Sequence, residues 1–507
     1  MRAATFSPAP LRAMLAAAAI RNPTVNLADY TSYDALDLAD LVRRKETTPQ
    51  ELLDLAFAAH DAVNPKINAV IETWREDAPA ELAQMPARGE FRGVPFLVKD
   101  AVLHMQGRKC EMGSRLAAGL VAPEDSHLMA RFRKAGLVAF GRTASPEMAY
   151  SCSTESVFRG ATRNPWNPAR TAGGSSGGAA AAVAAGIIPM AHANDGGGST
   201  RIPAACCGLF GMKPSRGRVP IGPDADEGLN GLGVELAVSR SVRDSAALLD
   251  CVEGAEAGDP FVIERPKRPY LEEAATDPGA LRVGLMIDPF GGGKTQGVVA
   301  DAVMRVARDM EALGHRVEIA DARLGVPWDD FILANARIWT VNLAGWIDAL
   351  AAATGRTIDE TTLEEHILAC YRYGAATSAI EFASALALRN AVSRSLGDWF
   401  TRNDILMSPT IPTLPIELGW FAANSKGLDG LGWTALTFSV TPFTPAFNFT
   451  GLPAMSMPLA HDAASNLPIG AHFAAAFGRE DLLFRLAGQL ERAMPWRARK
   501  PGVWAGG

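Results

Sequence analysis

The chain holds 507 residues, enough for a large buried core, and carries a net charge of −6 from 49 Lys plus Arg against 55 Asp plus Glu. A composition of 48% hydrophobic and 21% charged residues excludes a disordered, collagenous or coiled-coil chain, and the acidic balance excludes a dominant nucleic-acid footprint. The 6 cysteines lack paired spacing and read as reduced thiols without a disulfide framework or zinc site, and no apolar run approaches the roughly 18 residues of a membrane span.

Arg2 and Arg12 bracket an approach to the alanine-rich stretch 13–20, which is short for a signal-peptide core. Residues 1–30 are therefore read as a leader before the fold, and the protein as cytoplasmic. Helices are predicted over 33–45 and 49–63. Thr48, Pro49 and Glu51 supply an N-cap, a first-turn proline and a capping-box acid, and Asn64-Pro65 is expected to stop the second helix. A strand over 96–99 follows the turn signal Gly93-Val94-Pro95. Then come a helix at 125–134, a strand at 137–140, a small-residue helix at 179–185 and a strand at 187–193. A strand–helix–strand unit is predicted at 281–287, 298–313 and 317–319. The stretch 329–399 is helical without strands and reads as an insertion. Strands at 405–407, 454–459 and 469–475 and a helix at 480–490 complete the chain. This alternation predicts an α/β fold: a large parallel or mixed sheet covered by helices on both faces, in one domain over 31–507.

The stretch 172–203 carries the chemistry, with its glycines gathered in two clusters around an apolar helix–strand unit. Glycine is costly in chain entropy, so such clusters mark close backbone approach or special dihedrals. Gly173-Gly174-Ser175-Ser176-Gly177 matches a nucleophile elbow formally, but Asn164-Pro165-Trp166-Asn167-Pro168 before it cannot be the central strand an elbow needs. Gly291-Gly292-Gly293-Lys294-Thr295 imitates a phosphate loop, yet Asp288 stands where that loop needs its first glycine. Ser199 follows Gly196-Gly197-Gly198, whose bare amides can turn toward one point and stabilise an oxyanion. A serine nucleophile still needs a base. His192 offers a local His192–Asp195–Ser199 triad; Lys99, ending an apolar strand where an ammonium would be desolvated, offers another route. Asp100 should point to the opposite face and leave that lysine unclamped.

Together these features resemble the amidase signature family. The motifs are 93–100 (GVPFLVKD), the GGSSGG block at 173–178, Asp195-Gly196-Gly197-Gly198-Ser199 with Arg201-Ile202-Pro203-Ala204, 211–218 (GMKPSRGR), Gly451-Leu452-Pro453-Ala454 and 478–483 (GREDLL). The resemblance implies an amidase signature fold and a Ser–cis-Ser–Lys device without metal or cofactor. In it Ser199 is the nucleophile, Ser175 the bridging serine after a cis bond from Gly174, and Lys99 the general base. It places Gly196, Gly197, Gly198 and Ser199 in the oxyanion hole. Ser176 supports Ser175 by hydrogen bonding, and Asp195 with Arg201 forms an ion pair bracing the nucleophile turn. Asn194 and the stretches 161–167 and 447–451 look like the branch of 6-aminohexanoate cyclic-dimer hydrolases and xenobiotic amidases. Those cyclic-dimer enzymes carry a substrate-contacting cysteine in the helical insertion; Trp339 stands there instead.

The pocket walls implied are Met148, Ala149 and Tyr150, the region of Trp339, and a late substrate loop at 419–447. In that loop Trp420, Phe421, Trp433, Phe438, Phe443 and Phe447 suit either a core or a mobile lid. The expected substrate is a small aryl or alkyl amide or a carbamate; neither nucleic acid nor membrane is a partner, and a homodimer is left open. The alternative is the amidase-type subunit of the glutamine-dependent tRNA amidotransferase.

Overall fold

The computed structural model describes residues 25–507. The charged and alanine-rich part of the leader lies outside the described residues. Residues 25–30, read with it, already pack on the fold through two side chains: Val25 is buried, and Tyr30, in the helix Leu27–Ser32, donates its hydroxyl to the Ile187 carbonyl at 2.9 Å.

The predicted capping box opens the helix Pro49–Ile67, with Thr48 and Glu51 bonded reciprocally. Asn64-Pro65 does not stop this helix. Pro65 sits on its exposed side, and the Asn64 side chain bonds the turn beyond, accepting from the Ala69 and Val70 amides and donating to the Val70 carbonyl. Those bonds hold Asn64 helical against the proline's preference for extended backbone. The chain turns instead at Asn68, in the left-handed region.

Eight strands form the large sheet, in the order Arg316–Ile319, Arg282–Leu285, Ile405–Pro409, Leu467–Ala474, Ala454–Asp462, Phe210–Lys213, Val234–Ser239, Met190–Asp195. The first three are parallel and every later pairing is antiparallel, so the sheet is mixed. Successive residues of a strand face opposite sides. Phe210–Lys213, Val234–Ser239, Met190–Asp195 and Leu467–Ala474 are buried at every position, so helices and loops cover both faces.

The predicted strands 96–99 and 137–140 do not join that sheet. They form Pro95–Lys99 and Val138–Thr143 of a separate three-stranded sheet with Val70–Thr73. Its outer strand Pro95–Lys99 lies beside Met190–Asp195, the last strand of the large sheet, and the Lys99 amide donates to His192 Nδ1 at 3.2 Å across the seam. The site forms at this seam.

The segment 329–399 is helical as predicted: Trp328–Thr354, Glu365–Ala376 and Ala379–Trp399 lie between two strands that both pair with Arg282–Leu285. The segment 419–447 is not an open loop. It folds into Trp420–Asn424, Gly430–Val440 and the start of Pro445–Thr450, with Trp433, Phe438, Phe443 and Phe447 buried. Asp429 caps the middle helix on the Gly432 amide, and Gly430 is required there because a Cβ would stand 2.7 Å from Tyr373 Cβ. Phe421 is buried as well, and Trp420 is half-buried against the core. The glycine-rich connection after 287 holds no phosphate-loop geometry: Asp288 accepts from Lys294 Nζ and the Thr295 amide. All six cysteines are free, and no helix among the described residues is long and apolar enough to cross a membrane.

Candidate active site

Lys99 ends its strand 1% exposed, with Nζ 2.6 Å from Ser175 Oγ and 2.5 Å from Asn194 Oδ1. Burial pushes this ammonium from 10.5 down to about 7, against the opposing pull of Glu235, Asp195 and Asp100. Such a lysine is about half neutral at pH 7, and the neutral amine is the state a general base needs. Asp100 points away, as strand alternation demands; its carboxylate accepts from Arg142 and from the Glu111 and Gly113 amides.

Ser175 follows a cis peptide bond from Gly174. No side chain fits at Gly174, where a Cβ would lie 2.6 Å from the Ser151 carbonyl. Ser176 does not hydrogen-bond Ser175. Its hydroxyl donates to the Asn194 carbonyl at 3.3 Å and its amide to the Ser199 carbonyl at 3.3 Å, so it ties the two glycine-rich segments together.

Strand Met190–Asp195 delivers the second segment. His192 and Asn194 share one face and meet Lys99, while Asp195 falls on the other. His192 is 2.7 Å from Glu235 through Nε2 and accepts the Lys99 amide through Nδ1. Both ring nitrogens are thus committed, and the local His192–Asp195–Ser199 triad is not assembled. Asp195 instead pairs with Arg201, Nε to Oδ2 at 2.9 Å and the second arm to Oδ1 at 3.0 Å. Burial opposes its ionisation, but the Arg201 guanidinium holds the carboxyl well below the usual carboxylate range. Arg201 also reaches the Thr444 carbonyl and Asn448 Oδ1. The expected brace is present.

The glycine nest is narrower than expected. Gly198 gives its one amide hydrogen to Asp195 Oδ1 at 2.7 Å, and Thr200 gives its own to Oδ2. Gly198 is therefore a turn residue, at φ 136°, and not a free donor; Gly196, Gly197 and Ser199 remain as the amides available to an oxyanion.

A cavity of about 470 Å³ collects Ser175, Ser199, Asn194, Met148, Ala149 and Trp339. A second, of about 310 Å³, shares Ser199, Ala149 and Trp339 and adds Tyr150 and Thr437. Of the residues expected to line the pocket, Met148 lines only the first cavity, Tyr150 only the second, and Ala149 and Trp339 both, with Trp339 and Tyr150 stacked at 4.6 Å between centroids. Glu235, Val102, Leu229 and Trp346 line the first cavity and were not expected. Alternation along Val234–Ser239 could have placed Glu235 only once its pairing with Met190–Asp195 was known.

Residues 51–484 match the family described as Amidase, and the chain belongs to that family. It is 38% identical over 479 residues to the 6-aminohexanoate-cyclic-dimer hydrolase of Paenarthrobacter ureafaciens, covering 92% of this chain and 96% of that protein. A structure of 6-aminohexanoate cyclic dimer hydrolase complexed with substrate matches at TM-score 0.88 and 37% identity, over 93% of this chain and 99% of that one. A bacterial aryl acylamidase of the amidase signature enzymes matches at TM-score 0.82 and 27% identity, over 92% and 96% of the two chains. The family resemblance and mixed sheet expected from the motifs are borne out, and the protein is an amidase acting on carbon–nitrogen bonds.

Proposed function

We propose that the protein hydrolyses small aryl or alkyl amides through an acyl-enzyme, with Ser199 as nucleophile, Ser175 as relay and Lys99 as base. The observation that carries this reading is the buried Lys99 amine 2.6 Å from Ser175 Oγ, on the wall of the cavity that Ser199 also lines. Neutral Lys99 takes the Ser175 proton as Ser175 takes that of Ser199, and Ser199 Oγ bonds the substrate carbonyl carbon. The Gly196, Gly197 and Ser199 amides receive the oxyanion. As the C–N bond breaks, the proton returns through Ser175 to the leaving nitrogen. Water then attacks the ester, gives its proton along the same path, and frees the acid and Ser199.

Val102, Met148, Leu229, Trp339 and Trp346 give the cavity an apolar lining suited to aryl or alkyl groups. Carbamates, anilides and nylon oligomers offer the same carbonyl–nitrogen bond and are included in the proposal. The likeness to the cyclic-dimer hydrolases and the aryl acylamidase supports amide substrates of this size. The test is turnover of p-nitroanilides, aryl carbamates and linear nylon oligomers by the purified single chain. Anilide hydrolysis without partners is expected. No turnover alone, with glutaminase activity appearing on addition of partner subunits, would overturn the proposal in favour of an amidotransferase subunit.

A further inference from the structure

Two residues that line the second cavity carry buried polar atoms that the fold leaves without partners. Trp339 Nε1 and Thr437 Oγ1 make no hydrogen bond among the described residues, and the two side chains are 6% and 7% exposed. Both residues line the chamber that holds Ser199, Tyr150 and Phe438, and Trp339 lines the first cavity as well. Their neighbours are satisfied. Trp433 Nε1 donates to the Tyr150 carbonyl at 2.9 Å, and the Tyr150 hydroxyl meets Thr434 at 2.7 Å. In the same helical segment Thr434 and Thr441 bond back to the carbonyls of Gly430 and Thr437, whereas Thr437 forgoes that bond. Native proteins pair nearly all buried polar groups, so two orphans in one chamber beside the nucleophile call for an outside partner.

The relay fixes which arm of a substrate enters. Ser175, Asn194 and Glu235 line the first cavity and not this one. The leaving nitrogen must face Ser175 to receive its proton, so its substituent occupies the first cavity. The acyl arm then points across the carbonyl carbon into the second. An indole nitrogen can only donate, and a threonine hydroxyl can donate as well. The Trp339 indole packs on the glycine turn, where a Cβ would stand 2.8 Å from its Cη2 at Gly196 and 3.7 Å from its Cζ2 at Gly197.

We infer that the chamber between Tyr150 and Phe438 is the acyl subsite, and that Trp339 Nε1 and Thr437 Oγ1 select acyl chains carrying a second carbonyl oxygen. This rests on the serine-relay reading above. A site built to bond a polar group rejects the analogue that lacks it, because its own buried donors then stay unpaired.

The experiment uses p-nitroanilides of one acyl chain length, plain or with a ketone at each successive chain carbon. In the wild-type enzyme one ketone position should raise kcat/KM about tenfold or more over the plain chain. Thr437→Val keeps size and removes one donor, Trp339→Phe removes the indole N–H together with part of the ring, and each should cut that ratio at least about threefold. Reading the ratio within each variant cancels any general loss of activity, and the wild-type ratio stands even if a variant fails to fold. A ratio near one at every position, or one indifferent to both variants, overturns the inference while leaving the amidase mechanism intact. Sensitivity that appears only with the ketone on the leaving arm overturns the acyl assignment. Absence of anilide hydrolysis altogether would instead strike the mechanism on which it rests.

Discussion

Replacing Lys99 by Met should make the fold more stable at neutral pH while removing activity. The lysine is buried, and its value falls from 10.5 to about 7 chiefly by desolvation. At about 1.36 kcal/mol per unit, burial costs the folded state about 5 kcal/mol when the unfolded chain is protonated. The value is lowered on folding, so the unfolded chain holds the extra proton between about pH 7 and 10.5, and stability rises with pH across that window. Methionine keeps the length of the stem and removes the cost. It also removes the bonds to Ser175 and Asn194, worth about 1 kcal/mol each. The balance is a gain of about 2 kcal/mol at pH 7 that vanishes near pH 9 and becomes a loss of about 2 kcal/mol above pH 10.5. Urea midpoints of the two proteins, measured from pH 6 to 10.5, should cross. A midpoint difference that is flat with pH, or a less stable variant at pH 7, would refute the burial argument. Anilide turnover should fall by about 100-fold or more whichever way stability moves.

The acidic limb of kcat/KM should rise about tenfold per pH unit and level off near pH 7, as neutral Lys99 accumulates. Glu235→Gln removes the strongest opposing charge on that lysine, so a stopped assay across pH 5 to 8 should find the limb shifted to lower pH. Asp195→Asn leaves the buried Arg201 without its carboxylate and should cost about 3 to 5 kcal/mol in denaturant unfolding. His192→Ala breaks the link between the two sheets but not the relay. A serine-directed fluorophosphonate should still label that variant, whereas Lys99→Met should resist labelling.

Much of the site was legible because its residues sit beside local signals. Lys99 closes an apolar run, Ser199 follows three glycines, and the Asp195–Arg201 pair lies within one turn. Other features depend on pairings between distant segments. Nothing near 95–99 says that this strand belongs to a small separate sheet, and nothing near 234–239 brings Glu235 to His192. The hydrogen bond that takes Gly198 out of the oxyanion nest depends on how Asp195 is shared between Arg201 and the turn. Asn64-Pro65 misled because the Asn64 side chain stabilises a conformation that the dipeptide alone disfavours. The stretch 419–447 read as a loop, while it folds into helices with Gly430 demanded by packing against Tyr373.

Acylation of one serine by a lysine-driven relay is read out by peptide mapping with mass spectrometry after labelling with a covalent serine probe. A single adduct on Ser199 is expected, lost in Ser199→Ala and strongly slowed in Lys99→Met. An adduct on Ser175 or another residue, or labelling of Lys99→Met at the wild-type rate, would contradict it.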